Sequence, residues 1–198
     1  MTANPQHVTE PPVGGPRVIE QRGMYFDELE EDVVYAHRPG RTVTEADNVL
    51  FTTMTMNTQA LHLDAAWSAE QPFGQRLVNS MFTLATVVGQ SVPQLTQGTI
   101  IAQLGLTEVS FPHPMYHGDT LYTETVVTGK RLSSSRPGQG IVTMKHTGRN
   151  QNGEVVALAT RSCLMWTREA HTAAQQENSA QRSRTVRHER TQKDRIET

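Results

Sequence analysis

Between Phe73 and Gln90 the chain carries Leu77, Val78, Met81, Phe82, Leu84, Ala85, Val87 and Val88, with no charged residue after Arg76. Such a stretch reads as a helix covered by neighbours on nearly every side. The downstream residues have to supply that cover, because from Thr99 to Trp166 the sequence reads almost entirely as strand. Thr99 to Phe111 is the first strand, with Gly105 placed as a bulge would place it. His117-Gly118-Asp119 makes a turn, Leu121 to Leu132 alternates, and Arg136-Pro137-Gly138-Gln139-Gly140 turns again. Ile141 to Gly148 is the next strand, and Asn152-Gly153 carries the residues of a type I′ hairpin turn. Val155 to Trp166 then sets Val156, Leu158 and Leu164 on one face. One long buried helix wrapped by an antiparallel sheet is α+β.

Upstream, Asp32 to His37 is strand-like and ends at Pro39-Gly40. Thr44 and Asp47 have the spacing of a capping box, opening a helix with Ala46, Leu50, Phe51 and Met54 on its apolar face. Asn57-Thr58-Gln59-Ala60-Leu61-His62 is a polar connection that ends on a histidine. At 198 residues the chain suits one domain, set at 23–168. The Pro- and Gly-rich residues 1–22 and the polar residues 169–198 hold too few large apolar side chains to order themselves, so both are expected to be disordered tails. A net charge of -2 gives no strong field toward nucleic acid or an anionic membrane. No apolar run reaches the ~20 residues of a membrane span. The single cysteine, Cys163, and the lack of an N-terminal apolar run point to a cytoplasmic setting.

His62 is the leading candidate for chemistry, since it comes after a polar segment and stands outside the periodic apolar positions. An imidazole can take a proton from water and return it to carbon. On the pattern alone, a histidine that merely bonds its own loop is the commoner case, and the same holds for Asn57 and Gln59. Asn79 and Ser80 fall in the first turns of the apolar helix, where free N–H groups can receive an oxyanion; capping and packing are the plainer roles. Lys130, Arg131 and Arg136 offer a modest anion site or solvated charge. Cys163 reads as core. His113, His117 and His146 lack metal-ligand spacing, so no metal is expected.

Taken in order, Thr44-Glu45-Ala46-Asp47, Asn57 to His62, Val78-Asn79-Ser80-Met81, Phe111-Pro112-His113-Pro114-Met115 and Gly118-Asp119-Thr120-Leu121 resemble the successive motifs of the MaoC-like dehydratases, the (R)-specific enoyl-CoA hydratases with a hot-dog fold. The resemblance covers about Tyr25 to Arg168. It implies a single hot-dog domain that adds water reversibly to a 2-enoyl-CoA, with His62 as base and Ser80 and Asn79 at the thioester oxygen. It also implies a homodimer, no cofactor beyond the CoA thioester, and Lys130, Arg131 and Arg136 toward the CoA phosphates. Asn57 stands where the family has a catalytic aspartate, and Gln59 where it has asparagine. The Met-Asn-Thr-Gln-Ala-Leu-His form looks like the subgroup acting on short branched dicarboxylic enoyl-CoAs such as mesaconyl- or itaconyl-CoA. A hot-dog thioesterase and a non-catalytic acyl-CoA binder are the alternatives.

Overall fold

The structure is a computed structural model that describes residues 16–181; the expectations for 1–15 and 182–198 lie outside it. A 3₁₀ turn, Phe26–Glu28, precedes β1 (Val34–Thr42) and α1 (Glu45–Met54). Two short helices come next, α2 (Ala60–Leu63) and α3 (Ala65–Ala69), and then the long α4 (Ser80–Leu95). The strands β2 (Ile100–Ser110), β3 (Thr120–Leu132), β4 (Gln139–Arg149) and β5 (Val155–Trp166) complete one antiparallel sheet in the order β1-β3-β4-β5-β2. A last helix, α5, runs over 168–181.

The sheet faces α4, and two apolar clusters fix the pair. Val87 joins Val43, Val78, Met115, Leu121, Val156 and Ala157 toward the start of the helix. Leu95 joins Phe26, Leu29, Tyr35, Val127, Val142, Met144, Cys163 and Met165 at its end. Between the clusters the buried side chains are mostly polar: His37, Thr123, Thr125, His146 and Arg161 from the sheet, beside Ala159, and Ser91 from the helix. Gln94 and Gln90 of α4 bond into this belt, Gln94 to His37 at 2.8 Å and Gln90 to Thr123 at 2.6 Å.

Several boundaries differ from the sequence reading, each for a local reason. Residues 73–79 are not helical, because Leu77 bridges to Tyr116 and the Val78 N–H donates to the Met115 carbonyl. α4 therefore begins at Ser80 and runs past Gln90 to Leu95. It is not covered all round, since Met81, Ala85 and Gly89 are exposed within one chain. β1 continues through Pro39-Gly40 with a register shift between His37 and Arg41. As an edge strand it tolerates a residue without an N–H. The helix-facing row of β5 is Ala157, Ala159, Arg161, Cys163 and Met165, with Leu158 half-buried. The 150–154 turn is not type I′, because Gly153 has φ 83° while Asn152 is not in the left-handed region. Here the Asn150 Oδ1 accepts from the N–H groups of Asn152 and Glu154, and one glycine suffices.

The end of the chain differs most, since residues expected to be disordered from 169 onward are helical to 181. This helix docks through polar and aromatic groups rather than an apolar face. The His171 ring stacks on Trp166 at 5.5 Å and bonds Tyr25 Oη at 3.2 Å, and Arg168 pairs with Glu28. Gly105 does mark a register shift in β2, and Thr44 does cap α1 with Asp47.

Helix and sheet approach so closely at Gly148 that a Cβ there would lie 2.5 Å from Val87 Cγ2 and 3.2 Å from Leu121 Cδ1. Valine is stiff at χ1 and cannot swing aside. Gly148→Ala is expected to cost about 1–3 kcal/mol through overpacking. Urea denaturation measures it, and an unchanged midpoint would contradict a helix–sheet contact this tight.

Candidate active site

α1 turns a polar face inward. The expected apolar stripe is largely exposed, Leu50 at 61% and Met54 at 75%, whereas Asn48 and Thr52 are fully buried. Asn48 explains the reversal, because its side chain ties together three segments that the chain brings in separately. Its Oδ1 accepts the Asn79 N–H at 2.8 Å, and its Nδ2 donates to the His62 carbonyl at 3.1 Å. The Leu77 carbonyl lies 3.5 Å from the same Nδ2. Thr52 continues the contact, with Asn79 Nδ2 donating to its hydroxyl at 3.3 Å. Sequence reasoning misses both residues. The available signal is a polar asparagine and threonine four apart in a helix, and it gains meaning only once the partner elements are known.

His62 sits in the one-turn helix α2 and is 9% exposed. Its backbone N–H donates to the Gln59 carbonyl and its Nδ1 lies 3.0 Å from the Leu77 carbonyl. A carbonyl only accepts, so Nδ1 carries the proton and Nε2 is left as the basic nitrogen of the neutral ring. Asn57 sits just ahead, half-buried, with its Oδ1 accepting the Gln59 N–H at 3.0 Å. That bond orients the amide so that its NH₂ is the group left to donate.

Asn79 is the N-cap of α4, and its Oδ1 accepts the Met81 N–H at 2.9 Å. Ser80 is the first helical residue, and its N–H lies at the positive end of a sixteen-residue helix. Ser80 also lines a cleft of about 250 Å³ with Phe73, Leu77, Thr83, Phe111 and Met115. A larger cleft, about 850 Å³, lies at the opposite end of the domain beside α5, among Asp27, Gly138 and Arg168. The smaller one is the relevant one, because it adjoins the helix N-terminus and the extended segment that holds His62.

The remaining candidates lie elsewhere. Lys130 donates to the Phe26 and Leu29 carbonyls at 2.8 Å each and covers the Phe26 ring, so it closes the 3₁₀ turn rather than serving as a free anion site. Arg131 and Arg136 are exposed. All three stand where the sheet meets the end of α4, about 24 Å of helix away from Ser80. One chain does not bring them to His62. Cys163 is buried and its thiol is pushed up by burial. Near the site Arg76 pairs with Glu45, and burial followed by the Arg76 charge holds the neighbouring His117 low. Among the described residues no three of His, Cys, Asp and Glu gather as metal ligands, and no helix is long and apolar enough to cross a membrane.

A long helix held in one antiparallel sheet, with a polar site at the helix N-terminus, defines a hot-dog domain, and comparison agrees. Residues 28–150 match the MaoC like domain, so the chain belongs to the MaoC-like family. The mesaconyl-CoA hydratase of Haloarcula marismortui is 30% identical over 151 residues, 75% of this chain and 42% of that protein. The beta-methylmalyl-CoA dehydratase of Chloroflexus aurantiacus is 31% identical over 68% of this chain and 38% of its own length. A putative MaoC domain protein dehydratase from the same bacterium superposes with a TM-score of 0.72 at 27% identity, over 77% of this chain and 43% of that one. A Mycobacterium tuberculosis protein with a double hotdog fold gives 0.66 at 26%, over 75% and 46%. The chain thus spans about two fifths of the length of these curated relatives.

Replacing Asn48 by leucine keeps the volume but strips partners from the Asn79 N–H and the His62 carbonyl. Asn48→Leu is expected to lose about 1–3 kcal/mol of stability and to free the His62 segment from its place against α1. Urea denaturation measures the first, and a change in the His62 ring NMR signals checks the second.

Proposed function

We propose that this chain is the catalytic hot-dog unit of an enoyl-CoA hydratase, adding water reversibly to a 2-enoyl-CoA. The observation that carries the reading is the His62 Nδ1–H donated to the Leu77 carbonyl, which leaves Nε2 as an oriented base. Nε2 takes a proton from water as the oxygen bonds the β-carbon, and the electron pair of the double bond passes to the thioester as an enolate. The Ser80 N–H and the α4 dipole stabilise that oxygen more than the ground-state carbonyl. The imidazolium then returns a proton to the α-carbon. Asn57 orients the water through its NH₂. The route balances without a metal or redox cofactor.

The acyl group is proposed to be short, branched and dicarboxylic, of the mesaconyl or itaconyl kind. This rests on the motif form and on the relatives' names, not on a contact. Within one chain the site stands open, with Met54, Met56, Trp67, Phe73 and Met81 exposed along the elements that carry it. Exposed apolar side chains in such number mark a surface meant to be covered. We assign the cover to a second hot-dog unit, supplied by another copy of the chain, from which Arg131 and Arg136 could meet CoA. The amide at Asn57 favours one other reading, a binder that holds acyl-CoA without turning it over. Incubation with a panel of enoyl-CoAs, following loss of the conjugated thioester absorbance and separately release of thiol, distinguishes hydratase, thioesterase and binder.

His62→Ala is expected to abolish hydration with the fold intact, and a kcat within about tenfold of wild type, under ~1.4 kcal/mol, would remove His62 from the role of base. Asn57→Asp places a carboxylate beside the imidazole and favours the imidazolium. It is expected to lower the rate at neutral pH and move the optimum upward. A faster enzyme with an unmoved pH profile would sink the one-base route.

A further inference from the structure

β5 turns Ala157, Ala159, Cys163 and Met165 toward α4, and in the middle of this row stands Arg161, only 4% exposed. Its Nε and Nη1 are buried and find no hydrogen-bond partner among the described residues. A guanidinium taken out of water without a counter-charge is strongly unfavourable, and buried charges are paired or bind a ligand. The described residues do not supply the counter-charge, for no aspartate or glutamate among them is buried.

The neighbour that Arg161 does have is His146. Met144 faces Arg161 and His146 faces Ala159 across the β4–β5 ladder, so the two side chains are diagonal neighbours on the helix-facing side. His146 is fully buried, and its Nε2 likewise has no partner among the described residues. Burial first, then the Arg161 cation, then His37, push His146 down to about 3, so the ring is neutral and adds no charge.

The hydrogen bonds beyond the ring show that it can face either polarity. His37 Nδ1 meets Gln94 Oε1, His37 Nε2 meets Thr125 Oγ1, and Thr125 Oγ1 meets His146 Nδ1, each at 2.8 Å. With the Gln94 oxygen accepting, each neutral ring can satisfy this chain in one way, and His146 Nε2 is then an acceptor. Turning the Gln94 amide over reverses every bond and makes Nε2 a donor at no cost in net charge. Gln94 is the member of the chain best placed to turn, since it is exposed and lines a surface cleft with Gln90 and Arg38.

We propose that Arg161 and His146 form a buried carboxylate receptor beneath the middle of α4, with Arg161 supplying the charge and His146 Nε2–H a second donor when the Gln94 end of the chain is turned. A single cation calls for a monoanion, and a group held between a sheet and a helix is better planar than tetrahedral. Val87 packs beside Ala157, and Leu95 clusters with Cys163 and Met165, which sets Arg161 level with the turn of α4 that holds Ser91. Ser91 is about 16 Å along the helix from Ser80. The carboxylate therefore comes either from a free short acid or from the far end of an acyl group running beneath the helix.

The test has two arms on the full chain. In the first, melting temperature is followed as acetate and a short dicarboxylate are titrated at constant ionic strength, in wild type and Arg161→Met. A saturable rise of several degrees in wild type, missing from the variant, is expected; no saturable rise in wild type, or equal rises in both, overturns the receptor. Should Arg161→Met not fold, the ring ¹⁵N signals of His146 in wild type decide. Nε2 is expected to change from unprotonated to protonated on adding acetate, and an unchanged spectrum counts against the proposal. The second arm identifies the source and rests on the hydratase reading. It compares kcat/KM for an enoyl-CoA bearing a distal carboxylate with that for its uncharged counterpart. A fall of tenfold or more in that ratio for Arg161→Met assigns the carboxylate to the substrate, and an unmoved ratio assigns it to a free acid. If wild type hydrates neither thioester, the functional reading fails while the melting arm still decides the receptor.

Discussion

Everything at the site depends on one buried amide. Asn48 is enclosed by α1, the His62 segment and the start of α4, and its oxygen and nitrogen hold the Asn79 N–H and the His62 carbonyl. A buried amide left half-bonded is costly, so these segments settle in the one arrangement that satisfies it. His62 and Ser80 belong to different elements separated by an irregular stretch. Their relative position is a consequence of that amide as much as of the apolar cluster around Val78 and Met115 beside it.

The core is itself unusual in being split. Apolar clusters hold the two ends of α4, and a belt of histidine, threonine, glutamine and arginine crosses the middle. Dispersion and the hydrophobic effect are non-directional, and either cluster alone would allow the helix to slide or roll on the sheet. The bonds from Gln90 to the Leu121 carbonyl and from Gln94 to His37 are directional and fix its registry. Registry matters here because the helix N-terminus is the proposed oxyanion site, and a shift of one residue would move its N–H groups by about 1.5 Å.

The strands and turns are legible in the sequence because a two-residue period and Gly-rich turns are local signals; Gly105, Gly118 and the Thr44–Asp47 cap are where they show. The errors share a cause. Phe73 to Asn79 looks helical by composition, yet Leu77 and Val78 spend their backbone groups on distant partners, Tyr116 and Met115. Residues 169–181 look unable to order, because docking by a stacked histidine and an ion pair does not register as apolar content. Lys130 reads as a free cation because the two carbonyls it binds, Phe26 and Leu29, lie about a hundred residues earlier.

By itself, then, the sequence determined the class of fold and the presence of a long helix under an antiparallel sheet, which come from periodicity and turn chemistry, and it singled out His62 as the base to propose only through the resemblance carried by five short motifs in order. Only the tertiary structure decided which nitrogen of His62 is free to act as a base, that Asn48 rather than an apolar stripe is the inward face of α1, and that Arg161 lies buried beside His146. Each of these depends on which groups meet across long separations in the chain, and burial and hydrogen bonding between such groups have no local signature.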